Sequence, residues 1–91
     1  MKVVQSPFFA RTFKKLHKQQ RNAVKLEILK LVENPNLGVQ KKQDLSDIFV
    51  HKFKINNQLY LLAYMFDPET LELVMLGVHE NFYRDLKSYL S

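Results

Sequence analysis

Apolar positions along this chain recur first at spacings of three and four, then at two, and finally at three and four again. The first regime predicts two helices. Ser6 before Pro7 makes a good helix start, because Pro lacks the N–H that would go unpaired in the first turn. Phe9, Phe13 and Leu16 form one stripe with Phe8 beside it, while Arg11, Lys14, Lys15 and Lys18 cover the rest. A second helix is expected from about Gln20 to Glu33, where Val24, Ile28, Leu31 and Val32 repeat at helical spacing. Leu26 and Leu29 widen its apolar surface toward more than one neighbour, and Asn34-Pro35-Asn36 ends it. Only Gln19-Gln20-Arg21-Asn22, with no strong breaker, separates the two. A hairpin is preferred, because one helix from Pro7 to Glu33 would be about 40 Å long, too much for a small domain to cover.

The period of two predicts the sheet. Lys2 to Gln5, with Val3 and Val4 adjacent, reads as a first strand. Asn34 to Ser46, holding Gly38 and Gln40-Lys41-Lys42-Gln43-Asp44, reads as a solvent-facing loop. From Phe49 to Ile55, alternation puts Phe49, His51, Phe53 and Ile55 on a helix-covered face, and Val50, Lys52 and Lys54 on the other. Asn56-Asn57 fits a tight turn. The next strand, with Leu59, Leu61, Ala63 and Met65 against Tyr60, Leu62, Tyr64 and Phe66, is apolar on both faces and should be central. Asp67-Pro68-Glu69 turns the chain into a third meander strand. Strict alternation there sets Leu71, Leu73 and Met75 against Glu72, Val74, Leu76 and Val78. So many apolar residues on both faces call for a second cover. The segment His79 to Leu90, with Phe82, Leu86, Tyr89 and Leu90 at helical spacing, supplies part of it, and a protein partner is expected to supply the rest.

Ninety-one residues make a single domain, 1–91, with a modest core. The absence of cysteine excludes disulfides and thiolate metal sites and fits a reducing cytoplasm. The opening MKVVQSPFF, followed by Arg11, Lys14 and Lys15, is neither a signal peptide nor a membrane span. The net charge of +5 is uneven: residues 1–45 carry ten Lys or Arg against three acids, and residues 46–91 four against six. A basic half suits nucleic acid or an acidic protein, or is simply the solvated side of two amphipathic helices.

His17, His51 and His79 are scattered with no metal-ligand spacing, and the two glycines, Gly38 and Gly77, make no phosphate loop. No cofactor is needed for the chemistry that remains. Lys52, Lys54, His79, Tyr83 and Arg84 gather in the last third. His79 sits at a strand-to-helix junction, with Tyr83 one helical turn on. A neutral imidazole accepts a proton near pH 7 and can activate an RNA 2′-hydroxyl. Strand lysines neutralise the phosphoryl oxygens, and a tyrosine donates a proton or stacks on a base. Structural readings stand beside these. His79 can cap the helix, Tyr83 can pack beside Phe82, and Lys52 and Lys54 can guard an open sheet. His51 reads as a satisfied histidine at the core edge, and Tyr60 and Tyr64 as sheet packing.

The opening strand with SPFFARTFKKL, the run FVHKFKINNQLYLLAYMF, and the close LVMLGVHENFYRDLKSYL together resemble the RelE/ParE superfamily of bacterial type II toxins. GVHENFYRDLK is the sharpest part. The resemblance implies an α+β fold in the order β-α-α-β-β-β-α: a small antiparallel sheet packed on two N-terminal helices, with a short C-terminal helix. It also implies a cognate antitoxin partner, and either messenger RNA cleavage on the ribosome or inhibition of DNA gyrase. By resemblance, Lys52 or Lys54 corresponds to the first basic strand residue of the ribonuclease members, and His79 or Tyr83 to the C-terminal acid/base or stacking residue. A second arginine often found early in the next strand is missing from Gln58-Leu59-Tyr60-Leu61. Arg84 or Lys42 would have to replace it. A small non-catalytic partner module is the remaining alternative.

Overall fold

A computed structural model describes residues 1–41 and 47–91, and His79 by its backbone alone. Its elements are β1 (Lys2–Gln5), α1 (Pro7–Lys15), α2 (Lys18–Glu33), a 3-10 turn (Pro35–Leu37), β2 (Val39–Gln40), β3 (Phe49–Ile55), β4 (Gln58–Phe66), β5 (Thr70–Val78) and α3 (His79–Leu90). The strands form one sheet in the order β1-β5-β4-β3-β2. The meander β3 to β5 is antiparallel as expected, β2 adds to it antiparallel, and β1 joins β5 in parallel, so the whole sheet is mixed. The short β2 is an addition. It draws Val39 and Gln40, expected in a loop, onto Val50 and Phe49.

The break between α1 and α2 comes earlier than the residues between them suggested. Leu16 and His17 both take extended backbone, at ψ 152 and 159. Gln20 and Arg21 hold the break: the His17 N–H donates to Gln20 Oε1 at 2.9 Å, and Arg21 Nη1 donates to the Leu16 carbonyl. These side chains satisfy backbone groups that a continuous helix would have paired. At the other turns the local chemistry is as read. Asn56 and Asn57 both have positive φ, 50 and 70, as a two-residue hairpin turn requires. Asp67 Oδ1 accepts from the Glu69 and Thr70 N–H groups, both at 2.8 Å.

The sheet separates two cores. On one face α1 and α2 bring Phe9, Val24 and Leu31 against Phe53, Leu62, Tyr64 and Leu71. On the other, Phe82 and Leu86 of α3 pack on Val50, Leu61, Ala63 and Val74. Strict alternation in β5 fails here for a defined reason. Ala63 pairs with Met75 but Tyr64 pairs with Leu73, leaving Val74 as an extra, bulged residue. Met75 therefore joins Val74 under α3, and Leu76 joins Leu71 and Leu73 under α1 and α2. Tyr64 crosses the first core to anchor the loop above it. Its hydroxyl donates to the Pro35 carbonyl at 2.6 Å and accepts from the Gly38 N–H at 2.9 Å. A Cβ on Gly38 would lie 2.6 Å from that hydroxyl, so the close approach requires glycine.

Among the described residues no helix is long and apolar enough to cross a membrane. Leu26 and Leu29, expected to meet a neighbour, are 61% and 59% exposed.

Ser6 joins the two ends of the chain. Its buried hydroxyl accepts from the Phe9 N–H at 3.0 Å, capping α1, and donates to the Val74 carbonyl at 2.5 Å. The Ser6→Ala variant loses the cap and strands a buried carbonyl, and should cost about 2 kcal/mol. That is a fall in melting temperature of roughly 8–15 °C for a domain of this size. A thermal melt that moves by less than about a third of this would show that the hydroxyl is dispensable.

Candidate functional site

The α3-side face of the sheet is only partly covered. α3 starts directly at the end of β5, and Phe82 seats its ring on Gly77, where an added Cβ would lie 3.3 Å from Cδ1. Gly77 pairs with Leu61, which pairs with Lys52. Lys52 thus lies in the same cross-strand row as the Phe82 contact, about 10 Å away across two strand spacings. Continued by one residue, the register brings the His79 backbone level with Leu59 and so with Lys54, again about 10 Å away. Lys52 and Lys54 are exposed on this flank, about 7 Å apart along β3. Among the described residues neither has an ion-pair partner.

Tyr83, one turn into α3, is half-buried beside this second core, its ring edge-on to Phe82 at 5.4 Å. The Lys41 ammonium lies 5.0 Å from the Tyr83 ring centre. That is within cation–π range, and the Lys41 N–H bonds the Ile48 carbonyl just ahead of β3. On the side of α3 that carries Tyr83 the structure places Lys41 against that ring, level with Ile48, and Lys52 and Lys54 about 13 and 20 Å farther along β3. Lys41 is a member that the sequence reading passed over. Its one signal was the Lys41-Lys42 pair, from which Lys42 was singled out. Lys42 lies outside the described residues, as does the side chain of His79. Arg84 projects from α3 into solvent, its Nε 3.6 Å from Asp85 Oδ1. Chemically, the flank offers cations that have no ion-pair partner among the described residues, an aromatic ring against one of them, and the first residue of a helix.

A separate cleft of 310 Å³ lies between α1 and α3, floored by Phe8, Met75 and Gly77. Its charged lining residues are Glu80 and Asp85, which would repel phosphate. On the opposite face, His51 is satisfied as read. Its Nε2 lies 2.8 Å from Glu27 Oε1, and Lys30 Nζ lies 2.9 Å from Glu27 Oε2. Among the described residues no group of three or more His, Asp or Glu is placed to hold a metal ion.

The family model of ParE-like toxins of type II bacterial toxin-antitoxin systems matches residues 3–87. Among solved structures, the chain is similar to one from the toxin-antitoxin complex RelBE2 of Mycobacterium tuberculosis, at 21% identity. That match covers 86% of this chain and 96% of the other, with a TM-score of 0.73. It is similar to a chain of the intact E. coli RelBE toxin-antitoxin complex at 20% identity, covering 87% and 96%, TM-score 0.69. The isolated E. coli RelE toxin matches at 17% identity over 99% and 98%, TM-score 0.67. At these identities the likeness is one of fold. No curated protein matches the sequence.

The Glu27 cluster gives a pH signature separate from the lysine flank. Burial pushes the Glu27 carboxyl up, but the hydrogen bonds with His51 and Lys30 and their charges outweigh it, and the group sits below its ordinary value of 4.5. A depressed carboxylate contributes stability that is present above pH 4.5 and is lost as the pH falls through its folded value. The Glu27→Gln variant should show a flatter dependence of melting temperature on pH below 4.5 than the parent. Identical acid limbs for the two proteins would mean the ion cluster contributes nothing to folding.

Proposed function

We propose that this chain, which belongs to the ParE-like toxin family of type II bacterial toxin-antitoxin systems, is a ribosome-dependent endoribonuclease that cuts messenger RNA in the cytoplasm. The observation that carries this reading is the pair Lys52 and Lys54, exposed and without an ion-pair partner among the described residues, on the face of the sheet that α3 starts over, with Lys41 against the Tyr83 ring farther back along β3. An RNA strand lying along β3 meets Lys52 and Lys54 at its phosphates, and Lys41 closes the far side. His79 is the general base. It takes the 2′-hydroxyl proton as that oxygen attacks the adjacent phosphorus, the bond to the 5′-oxygen breaks, and the leaving oxygen takes up a proton. The products are a 2′,3′-cyclic phosphate and a 5′-hydroxyl, and no metal enters the step. Tyr83 either donates the leaving-group proton or stacks on a base. The lysines stabilise charge that grows on the phosphoryl oxygens in the transition state. Arg84 and Lys42 are auxiliary phosphate contacts. So sparse a site suits a substrate already positioned by ribosomal RNA, because orientation alone supplies much of the acceleration.

The second reading, inhibition of DNA gyrase, is favoured by the thin cationic clamp: β4 opens with Gln58-Leu59-Tyr60 and offers no arginine. A gyrase inhibitor needs no proton-transfer group. In both readings the natural partner is a cognate antitoxin, whose acidic side chains cover the basic helices and apolar surface of the sheet.

The discriminating experiment is translation in vitro with a defined message. The parent protein should cut the message within translating ribosomes. His79→Ala should slow cutting by about 10²–10⁴-fold, and Lys52→Ala with Lys54→Ala by about 10²-fold, with melting temperatures unchanged. An uncut message, together with gyrase-dependent DNA breaks and full toxicity of His79→Ala, would replace the ribonuclease reading with the gyrase one.

A further inference from the structure

The cleft between α1 and α3 has walls of opposite charge. Phe8 and Thr12 line it from α1. The Arg11 guanidinium lies 5.8 Å from the centre of the Phe8 ring, and Lys15 follows one helical turn on. Glu80 and Asp85 line the cleft from α3, and Tyr89, one turn beyond Asp85, meets Phe8 edge-on with ring centres 5.7 Å apart. Arg11, Lys15, Glu80 and Asp85 are all exposed. Among the described residues no ion pair crosses from one wall to the other. Between the walls the surface is apolar: Val78 lines the cleft and is 45% exposed, and Tyr89 is 41% exposed.

A partner of one sign leaves one wall unmatched. An anionic partner suits Arg11 and Lys15 and is repelled by Glu80 and Asp85, and a cationic one reverses this. A second copy of the chain satisfies both walls, under one symmetry operation. With the two-fold axis along the cleft, the basic wall of each copy lies over the acidic wall of the other; with the axis across it, like charge meets like. Arg84 is the exception on the acidic wall. Its Nε is 3.6 Å from Asp85 Oδ1, and its side chain, 75% exposed, opposes the cations of a second copy. Two helices side by side, each about 10–12 Å across, make a face about 22 Å wide, and α3 makes it about 18 Å long. Two such faces bury on the order of 1,000 Å² in all, the low end for specific association, so single chains and pairs should interchange at micromolar concentration.

We propose that two copies of this chain pair face to face across the cleft, about a two-fold axis running along it, with α1 of each protomer on α3 of its partner. Arg11 and Lys15 of one protomer meet Asp85 and Glu80 of the other, and Phe8, Val78 and Tyr89 of both copies close the seam. The pairing clamps α3, which ends the chain, between two copies of α1. Tyr83 lies about half a helical turn round α3 from Asn81 and Asp85, so the lysine flank stays open in the pair. The proposal does not depend on the toxin reading above.

Sedimentation equilibrium of the full-length chain alone tests the proposal. The mass should rise from that of one chain toward twice that value across the micromolar range. Arg11→Glu and Asp85→Arg should each weaken pairing at least about tenfold, because the two-fold axis counts each change twice. An equimolar mixture of these two variants should pair as the parent does, since every contact in the mixed pair is again between opposite charges. Arg84→Gln removes the one opposing cation and should tighten pairing about threefold. These are surface positions, and all three variants should melt as the parent does. If Asp85→Arg does not fold, Arg11→Glu and Arg84→Gln still read the contact from both walls. A single-chain mass at every concentration overturns the proposal. So does a pair indifferent to these charges, which joins by another face, and so does a mixture of the two reversed variants that stays as weak as either alone.

Discussion

The structure depends on one buried hydroxyl meeting one irregular strand. The β5 bulge falls at Val74, whose carbonyl takes the Ser6 hydroxyl, and a buried carbonyl left without a donor costs about 1–3 kcal/mol. Ser6 supplies the missing donor and, with the same oxygen, caps α1. The junction of β1 and α1 is thereby tied to the middle of β5, 68 residues away in sequence. The bulge also decides which side chains go to which core. It sends Val74 and Met75 together to one face and returns Leu76 to the other. Both faces are then apolar across the middle of the sheet, and a second layer becomes obligatory.

That second layer is what creates the candidate site. α3 follows β5 without a loop and turns back over β4 and β5, the strands that carry most of the apolar surface on that side. It reaches Val50 near the start of β3 but does not cover the rest of that strand. The part of β3 left uncovered bears Lys52 and Lys54, which need water in any case. The lysine flank is therefore a geometric remainder of how the core is closed. Tyr83 belongs to both regimes: its body packs with the second core, and its ring meets Lys41.

Elements with strong local chemistry were legible in the sequence. Ser6-Pro7, Asn56-Asn57 and the Asp67 turn behave as their side chains dictate, and the meander order follows from short turns between apolar strands. The satisfied state of His51 followed from the alternation of β3, though its partner Glu27, 24 residues away, did not. What escaped was non-local or one residue in size. A bulge leaves the composition of a strand untouched and appears only as a pairing shift, so Leu76 and Met75 were assigned to the wrong faces. The helix break at Leu16 and His17 has no breaker residue; it is made by Gln20 and Arg21 reaching backward. Lys41 was passed over because its position depends on β2, a two-residue strand too short to show a period. Lys52 and Lys54 were placed correctly because alternation alone assigns a side chain to a face.

The strand order limits what a partner seated at one edge of the sheet can cover. β1 and β3 are separated by β5 and β4, three spacings or about 15 Å, so a strand added at β1 does not reach Lys52 or Lys54. A partner held only there would anchor without occluding. Neutralising the lysine flank requires either an acidic segment passing over α3 or a change in α3 itself. Among the described side chains of α3, Phe82 and Leu86 are the buried ones that cover its core. Holding and silencing are thus physically separable tasks in this fold. A partner that occludes the flank would draw on charge, and its hold there would weaken with added salt.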